Sequence, residues 1–271
     1  MTFSELLKET ESRLRPVAGE DARFEGMLIL SHIFDMEDIR PFLYYEADIS
    51  ETQRNELDSI LTRRLKHEPL QYILGVWEFM GNSFYVRKNV LIPRPDTEIL
   101  VMEASRLIQE NGYKTVLDLC CGTGCIGITL SLMENVDVTL SDISDDALYL
   151  AELNTEKNGV DLVTVESDLF EKFQGHTFDM IVSNPPYLNK KEMENLQPEV
   201  RYEPELALYG GEDGLDYYRR IGHEYKNYLN DNGKMLLEIG YMEAEAVSEL
   251  FPGSRILNDY GNRPRVLVAG K

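Results

Sequence analysis

The sequence predicts an α/β fold in which a small helical domain precedes a mostly parallel sheet whose last strand is antiparallel. Three observations support this prediction. Residues 1–68 carry capped amphipathic helix patterns, residues 69–95 are rich in aromatic and β-branched residues, and residues 96–271 alternate short apolar runs with helix-length segments. Such an alternation is typical of a parallel sheet with helices packed on both faces.

Helices are predicted in three stretches of residues 1–68. The first helix begins at a capping box formed by Thr2 and Glu5, and the third begins at a box formed by Ser50 and Gln53. Apolar side chains recur at helical spacing in each helix. The predicted stripes are Leu6, Leu7 and Leu14, then Phe24, Leu28 and Ile29, then Leu57, Ile60, Leu61 and Leu65.

Strands are predicted in the remainder of the chain. Residues 69–95, with Gly81-Asn82 in the middle, are expected to form a hairpin or short strands that link the two domains. Seven further strands follow, at 115–119, 136–142, 162–168, 178–183, 234–239, 254–259 and 265–269. Because only five residues separate the last two strands, we expect this pair to be antiparallel at one edge of the sheet.

The charge balance argues against nucleic acid as a partner. The formal net charge is −21, with 27 Lys and Arg residues against 48 Asp and Glu residues. Nucleic-acid binding depends largely on cationic side chains that neutralise phosphates. The basic cluster of Arg63, Arg64 and Lys66 is expected to be a solvated helix end, where cations interact favourably with the helix dipole.

Targeting signals and metal-binding patterns are not evident in the sequence. No apolar run approaches the roughly 20 residues that span a bilayer, and the N-terminal segment lacks the apolar region of a secretory signal. We therefore expect a cytoplasmic monomer without a membrane partner. Cys120, Cys121 and Cys125 are spaced neither for a disulfide framework nor for a four-ligand zinc site, so we expect buried thiols and no metal.

Acidic or amide side chains end five of the predicted strands. In chain order these are Asp118, Asp142, Asp168, Asn184 and Glu238. In an open α/β sheet, ligands bind beyond the carboxyl ends of the strands, so we expect these side chains to surround a ligand. A helix N-cap role would explain any single one of them, Asp142 in particular, but it would not explain their shared position.

A glycine-rich loop follows the strand at 115–119. The segment GTGCIG matches G-x-G-x-x-G, and Asp142 lies 20 residues after Gly122, where a ribose-binding acid is expected. A nicotinamide dinucleotide and S-adenosylmethionine both fit these features. Asp118 favours S-adenosylmethionine, because a carboxylate would repel a pyrophosphate and attract the ammonium group of a methionine moiety. Asp168 would then suit the amino group of adenine.

The stretch NPPY, residues 184–187, follows the strand FDMIVS. Two prolines make a stiff turn, because proline fixes its own φ and restricts the residue before it. The Asn184 side-chain carbonyl and the Pro185 backbone carbonyl would accept both hydrogens of a planar NH2 group, on which Tyr187 would stack. Rigid acceptors that favour a pyramidal nitrogen would assist methyl transfer. No strong base is needed, since the proton can leave afterwards.

Three further stretches accompany NPPY and the helical N-terminus: LIPRPDTEIL at 91–100, EPELALYGGEDGLDYYRRI at 203–221 and DYGNRPRVLVA at 259–269. Over nearly the whole chain these features resemble the HemK/PrmC family, the peptide chain release factor N5-glutamine methyltransferases. The resemblance implies a Rossmann-like class I methyltransferase sheet, S-adenosylmethionine as the cofactor and no metal. It also implies methylation of the glutamine side chain in the GGQ motif of class 1 release factors.

The same resemblance implies roles for individual residues. The helices of residues 1–68 would help to dock the release factor. Catalysis and glutamine binding would rest on Asn184, Pro185, Pro186 and Tyr187, with Arg94 and Glu98 as further substrate contacts. The cofactor would contact Asp118, Cys120, Cys121, Gly122, Thr123, Gly124, Asp142, Asp168, Leu169 and Asn184.

Two positions depart from the family pattern. Cys120 stands where the family loop usually has glycine, so we expect a slightly altered loop with cofactor binding retained. Leu169 stands at a family tryptophan position, so apolar packing on the adenine would remain while an aromatic face would be lost.

Three other functions remain open on the sequence alone. An amino-methyltransferase acting on an exocyclic base amine of DNA or RNA would use the same NPPY chemistry, although the net charge of −21 argues against it. A nicotinamide dehydrogenase would share the glycines but would have no use for NPPY. An inactive cofactor-binding scaffold would not need an intact NPPY.

Overall fold

The computed structural model describes residues 1–271, which divide into two units. The first unit comprises Met1–Gly75 together with Gln197–Tyr202, and the second comprises Val76–Leu196 together with Glu203–Lys271. By its contacts, the short segment 197–202 therefore belongs to the helical unit, although the residues on either side of it belong to the sheet unit.

Four helices form most of the first unit: α1 (Phe3–Ala18), α2 (Ala22–Ile33), α3 (Glu51–Arg64) and α4 (Leu70–Leu74). Both predicted capping boxes are confirmed, at the starts of α1 and α3. The apolar faces of these helices form one core, which contains most of the predicted stripe residues. No helix of the chain combines the length and the apolar character that would let it cross a membrane.

Phe24 and Leu65 are exposed, so their assignment to the apolar stripes is wrong. The buried positions of α2 recur from Ala22 through Gly26 and Ile29, and Phe24 points away because it lies about half a helical turn from Ala22. Leu65 lies beyond the last residue of α3, at its C-cap, where the buried face of the helix has ended.

Arg64 is buried, so the prediction of a solvated helix end is wrong for this residue. Its guanidinium donates two hydrogen bonds of 2.9 Å to the Glu25 carboxylate and one of 3.1 Å to Glu199. Arg63, by contrast, has a side chain that is 43% exposed and pairs with Glu68. The carboxylates that hold Arg64 lie far away in the sequence, and no local pattern could pair them with it.

The second unit begins with the predicted hairpin, which is confirmed as β1 (Val76–Phe79) and β2 (Asn82–Tyr85). Its turn residues are Met80 and Gly81, with φ of 51° and 75°. Two positive φ values are typical of the type I′ turn that matches the twist of a hairpin.

Helices and strands then alternate over much of the chain, as predicted, although no helix lies between the strands at Val163–Glu166 and Phe178–Ser183. The helices are α5 (Thr97–Asn111), α6 (Cys125–Glu134), α7 (Asp145–Asn158), α8 (Lys190–Glu194), α9 (Asp216–Glu224) and α10 (Ala244–Leu250). The strands are β3 (Thr115–Leu119), β4 (Asp137–Asp142), β5 (Val163–Glu166), β6 (Phe178–Ser183), β7 (Leu229–Glu238), β8 (Arg255–Asn258) and β9 (Pro264–Gly270).

These seven strands form one sheet in the order β5-β4-β3-β6-β7-β9-β8. β9 is antiparallel to β7 and β8, and the other pairings are parallel, so the predicted topology is confirmed. One apolar core covers each face of the sheet. The strand order reverses direction between β3 and β6, and this switch point is where an open α/β sheet binds its ligand.

Candidate active site

A cavity opens beyond the carboxyl ends of the strands, next to the switch point between β3 and β6. Eight of the predicted site residues line it: Arg94, Cys120, Cys121, Gly122, Thr123, Asp142, Asn184 and Pro186. The remaining ones, Glu98, Asp118, Gly124, Asp168, Leu169, Pro185 and Tyr187, are not among the lining residues.

The glycine-rich loop forms one wall of the cavity. Cys120, Gly122 and Gly124 have φ of 57°, 55° and 77°. A glycine adopts this left-handed conformation freely, whereas a residue with a β-carbon does so at a cost of about 1–2 kcal/mol. Cys120 thus has a backbone conformation that favours glycine.

The three cysteine side chains are thiols rather than thiolates. Burial raises the pKa of Cys125 to about 12, and it also raises the pKa of Cys120 and Cys121 above their ordinary values. None of the three forms a disulfide. No group of three or more His, Cys, Asp or Glu side chains in the chain is arranged to hold a metal ion.

Asp142 ties the glycine-rich loop to the loop after β4. Its two carboxylate oxygens accept hydrogen bonds from the backbone N–H groups of Gly122 at 2.9 Å and Ser144 at 3.0 Å. Burial raises the pKa of its carboxyl group. The N-cap of α7 is Ser144, whose hydroxyl accepts from the Ala147 N–H. A helix-capping role therefore does not explain Asp142, which faces the cavity.

Asp118 lies beneath the loop and is fully buried. Its Oδ2 accepts a hydrogen bond of 2.8 Å from the Gly127 N–H in the first turn of α6, while its Oδ1 has no hydrogen-bond partner. Burial raises the pKa of Asp118 to about 8. In this structure the side chain supports the backbone of the loop from behind, and its predicted contact with a cofactor stays a prediction.

The wall expected to hold adenine contains a residue that was not predicted. Asp168 forms an ion pair of 2.8 Å with Arg220, and the adjacent Leu169 is buried in the core. Tyr217 lines the cavity instead and supplies an aromatic side chain. Tyr217 and Tyr218 are adjacent near the start of α9, and the sequence alone does not indicate which of the two tyrosines faces the cavity and which is buried.

Asn184 follows β6 and is joined to two buried side chains. Its Nδ2 donates to Thr97 Oγ1 at 3.4 Å, and the Thr97 hydroxyl donates to Glu238 Oε2 at 2.6 Å. Neither Asn184 Oδ1 nor the Pro185 carbonyl accepts a hydrogen bond from the chain. Thr97 also lines the cavity. Arg94 and Glu98 of the motif RPDTE are predicted site residues, whereas Thr97, which lies between them, is not.

The NPPY turn packs tightly against the segment 208–214. Leu188 exchanges backbone hydrogen bonds with this segment, to Leu208 at 2.8 Å and from Gly210 at 2.9 Å. A β-carbon on Gly210 would lie 2.7 Å from Tyr187 Cα and 2.8 Å from the Pro186 carbonyl oxygen. A side chain at this position would therefore displace the backbone of NPPY. Burial raises the pKa of Tyr187, so it remains a neutral phenol.

The two predicted substrate contacts in RPDTE lie in different surroundings. Arg94 lines the cavity and pairs with the buried Glu203, whose other oxygen accepts from the Ile92 N–H at 3.3 Å. Glu98 accepts a hydrogen bond of 3.4 Å from the Met80 N–H in the hairpin turn. The structure thus places Arg94 at the cavity and Glu98 against the hairpin.

Comparison with solved structures agrees with this fold. The chain is similar to the T. thermophilus 16S rRNA methyltransferase RsmC, solved with AdoMet and guanosine, with a TM-score of 0.54 and 18% identity over 72% of this chain and 49% of that one. It is also similar to the hMettl16 catalytic domain, with a TM-score of 0.55 and 15% identity over 83% of both chains. Identities this low indicate a shared fold alone.

Comparison of sequences is more specific. Residues 5–75 match the PrmC N-terminal domain and residues 97–199 match the methyltransferase small domain. The release factor glutamine methyltransferase of Clostridium acetobutylicum is 38% identical over 99% of this chain and 98% of the relative. That of Geobacter sulfurreducens is 39% identical over 92% of this chain and 88% of the relative. The chain belongs to the release factor glutamine methyltransferase family.

Proposed function

We propose that this protein transfers a methyl group from S-adenosylmethionine to the side-chain nitrogen of the glutamine in the GGQ motif of class 1 release factors. One observation carries the proposal. The rigid NPPY turn holds two carbonyl oxygens, Asn184 Oδ1 and Pro185 O, that accept no hydrogen bond from the chain, and Asn184 lines the cavity beside the glycine-rich loop. Two acceptors on one turn match the two hydrogens of a primary amide.

The residues around the cavity fit S-adenosylmethionine. The floor includes Gly122, where the backbone has no side chain and the Asp142 carboxylate is close by. Each Asp142 oxygen accepts one backbone hydrogen bond and retains a lone pair for a ribose hydroxyl. Apolar side chains and Tyr217 suit adenine, and the proposed role of Asp118 is to support the loop from behind through the Gly127 N–H. Thr123, Gly124, Asp168 and Leu169 remain proposed contacts in the same loops.

S-adenosylmethionine supplies a methyl group on a positively charged sulfur, which leaves as a neutral thioether. The Asn184 and Pro185 carbonyls would each accept one N–H of the glutamine amide and hold its nitrogen in place. As the nitrogen lone pair forms the new N–C bond, the C–S bond breaks, and the extra proton then passes from nitrogen to water. Fixed acceptors lower the barrier because they need no rearrangement during the reaction.

Further parts of the chain would complete the site. Pro186 and Tyr187 would pack against the flat amide, and Arg94 would orient the substrate backbone from the cavity wall. Glu98 would act at the hairpin side of the site. The helical unit would dock the body of the release factor, and the acidic charge of the chain disfavours a nucleic-acid substrate.

The test is a methyl-transfer assay read by peptide mass spectrometry. Purified protein, S-adenosylmethionine and a class 1 release factor should give a mass gain of one methylene on the GGQ glutamine. A GGQ→GGA factor and a duplex DNA should give none. Transfer to the DNA alone would overturn the proposal.

Asn184→Ala provides the matched test of the site. It should abolish transfer while calorimetry shows cofactor binding largely intact, because it removes one of the two acceptors. Asn195→Ala removes an exposed carboxamide that donates only to the nearby Lys191 carbonyl, and it should behave as the parent. Full activity of Asn184→Ala would refute the assigned chemistry.

A further inference from the structure

Thr97 lies between the buried carboxylate of Glu238 and the carboxamide of Asn184. Its hydroxyl donates to Glu238 at 2.6 Å and accepts from Asn184 Nδ2 at 3.4 Å. Thr97 is 2% exposed and Glu238 is 1% exposed, so water does not compete for these hydrogen bonds. Thr97 lies at the start of α5, Glu238 at the end of β7 and Asn184 in the turn after β6.

The direction of these hydrogen bonds determines which end of the Asn184 carboxamide faces the cavity. A carboxylate only accepts hydrogen bonds, so the hydroxyl proton of Thr97 points at Glu238. The Thr97 oxygen then offers only lone pairs, and these can take only the NH2 end of Asn184. The carbonyl end is left to face the cavity.

We propose that Thr97 and Glu238 are positioning residues that keep Asn184 Oδ1 turned toward the substrate amide. The inference rests on the proposed function, in which Asn184 must accept a hydrogen bond. A carboxamide without this constraint can rotate by half a turn, because its two ends have nearly the same shape. It would then present an NH2 group to the NH2 group of the substrate.

The charge of Glu238 controls this orientation. Burial raises its pKa to about 7. When protonated, Glu238 can donate to Thr97, whose hydroxyl is then free to donate to Asn184 Oδ1 and to favour the reversed carboxamide. The other charged and titratable groups around Glu238 are Arg94, Asp96, Cys125, Tyr187, Tyr218 and Arg265. Burial raises the pKa of the thiol and of both phenols, so these three do not titrate near neutral pH.

The first test compares Thr97→Val, which keeps the shape but loses the hydroxyl, with Thr97→Ser, which keeps the hydroxyl. The valine variant should lower kcat about tenfold, the factor expected from one hydrogen bond in a positioned group. Its cofactor affinity should stay near that of the parent, and its melting temperature should fall because Glu238 loses a buried hydrogen-bond donor. The serine variant should retain most of kcat and of the melting temperature. Parental kcat in Thr97→Val would overturn the proposal.

The second test is the pH profile, which a purely structural role of Thr97 would not change. In the parent, kcat should rise as the pH passes through about 7, the pKa of Glu238. This rise should be lost in Glu238→Gln and in Thr97→Val. Persistence of the rise in both variants would overturn the proposal, and Glu238→Gln alone carries the test if the valine variant does not fold.

A measurement without substrate separates this inference from the proposed function. In ¹⁵N-labelled protein, the carboxamide resonances of Asn184 are those that disappear in Asn184→Asp. Thr97→Val should shift them and Thr97→Ser should leave them nearly unchanged. If the parent does not methylate a release factor, the proposed function fails while this experiment still reports the orientation. Resonances that do not respond to Thr97→Val would overturn the positioning role itself.

Discussion

Replacing Arg64 should destabilise the helical unit far more than replacing the adjacent Arg63. The Arg64 side chain is 6% exposed and donates to Glu25 and Glu199, whose side chains are 14% and 29% exposed. Methionine keeps much of the apolar stem and removes the charge. Arg64→Met therefore leaves the Glu25 carboxylate without its cation and leaves Glu199 with the His67 imidazole as its remaining partner. Loss of one partner from a buried ion pair costs about 3–5 kcal/mol. Because Glu199 retains some access to water, we expect about 3 kcal/mol.

Arg63→Met is the matched control, since the same substitution is made one residue earlier in the same helix. The Arg63 side chain is 43% exposed and its partner is Glu68, and exposed pairs of this kind contribute about 0–1 kcal/mol. Urea denaturation followed by circular dichroism gives the free energy of unfolding. Hydrogen exchange of the amides in α1, α2 and α3 shows whether the loss lies in the helical unit. Equal losses in the two variants would refute the burial argument for Arg64.

Three further predictions concern the sheet unit. Gly210→Ala should reduce kcat about 100-fold and lower the free energy of unfolding by about 1–3 kcal/mol, because its β-carbon displaces the NPPY backbone. Gly261→Ala in an exposed loop should leave both unchanged, and an active Gly210→Ala would contradict the packing. Cys120→Gly should leave the free energy of unfolding within about 1 kcal/mol of the parent, while Cys120→Val should lower it by about 2 kcal/mol, because a β-branched residue disfavours positive φ. A valine variant that melts at a higher temperature than the glycine variant would contradict the backbone strain assigned to this position. The pKa of Asp118 is raised to about 8 from an ordinary 3.8, so between these values the folded state retains a proton that the unfolded chain releases, and the free energy of unfolding falls as the pH rises. Asp118→Asn should flatten this dependence of the free energy of unfolding on pH in urea titrations, and an unchanged dependence would contradict the prediction.

Local sequence patterns predicted most of the fold. Each of the seven sheet strands is a short apolar run bounded by turn or helix signals, and such runs are recognisable without knowledge of their partners. The edge pairing of β8 and β9 followed from the short connection between them. β7 begins at Leu229 rather than at Lys234, because its first residues, Leu229 to Gly233, include a polar, glycine-containing stretch that does not resemble a strand.

Long-range polar contacts could not be predicted in this way. Arg64 and Glu199 are 135 residues apart, and Thr97 and Glu238 are 141 residues apart. Each of these side chains, taken with its sequence neighbours, is compatible with an ordinary exposed position. Their pairing depends on where the sheet and the helices bring the backbone, and hydrophobic periodicity carries no information about it.

The acidic residues at the strand ends were only partly interpretable from the sequence. Their position predicts that a site lies at that edge of the sheet, but it does not say which of them face the ligand. Asp142 lines the cavity, whereas Asp118 and Glu238 are buried. Asp118 accepts a hydrogen bond from the Gly127 N–H, and Glu238 accepts one from the Thr97 hydroxyl. A buried carboxylate that accepts from a polar group fixes that group in one orientation, because it can serve only as an acceptor. In the proposed site the ionised Glu238 thereby orients Thr97 and, through it, Asn184, and a neutral carbonyl oxygen is what the proposed reaction requires next to an uncharged amide.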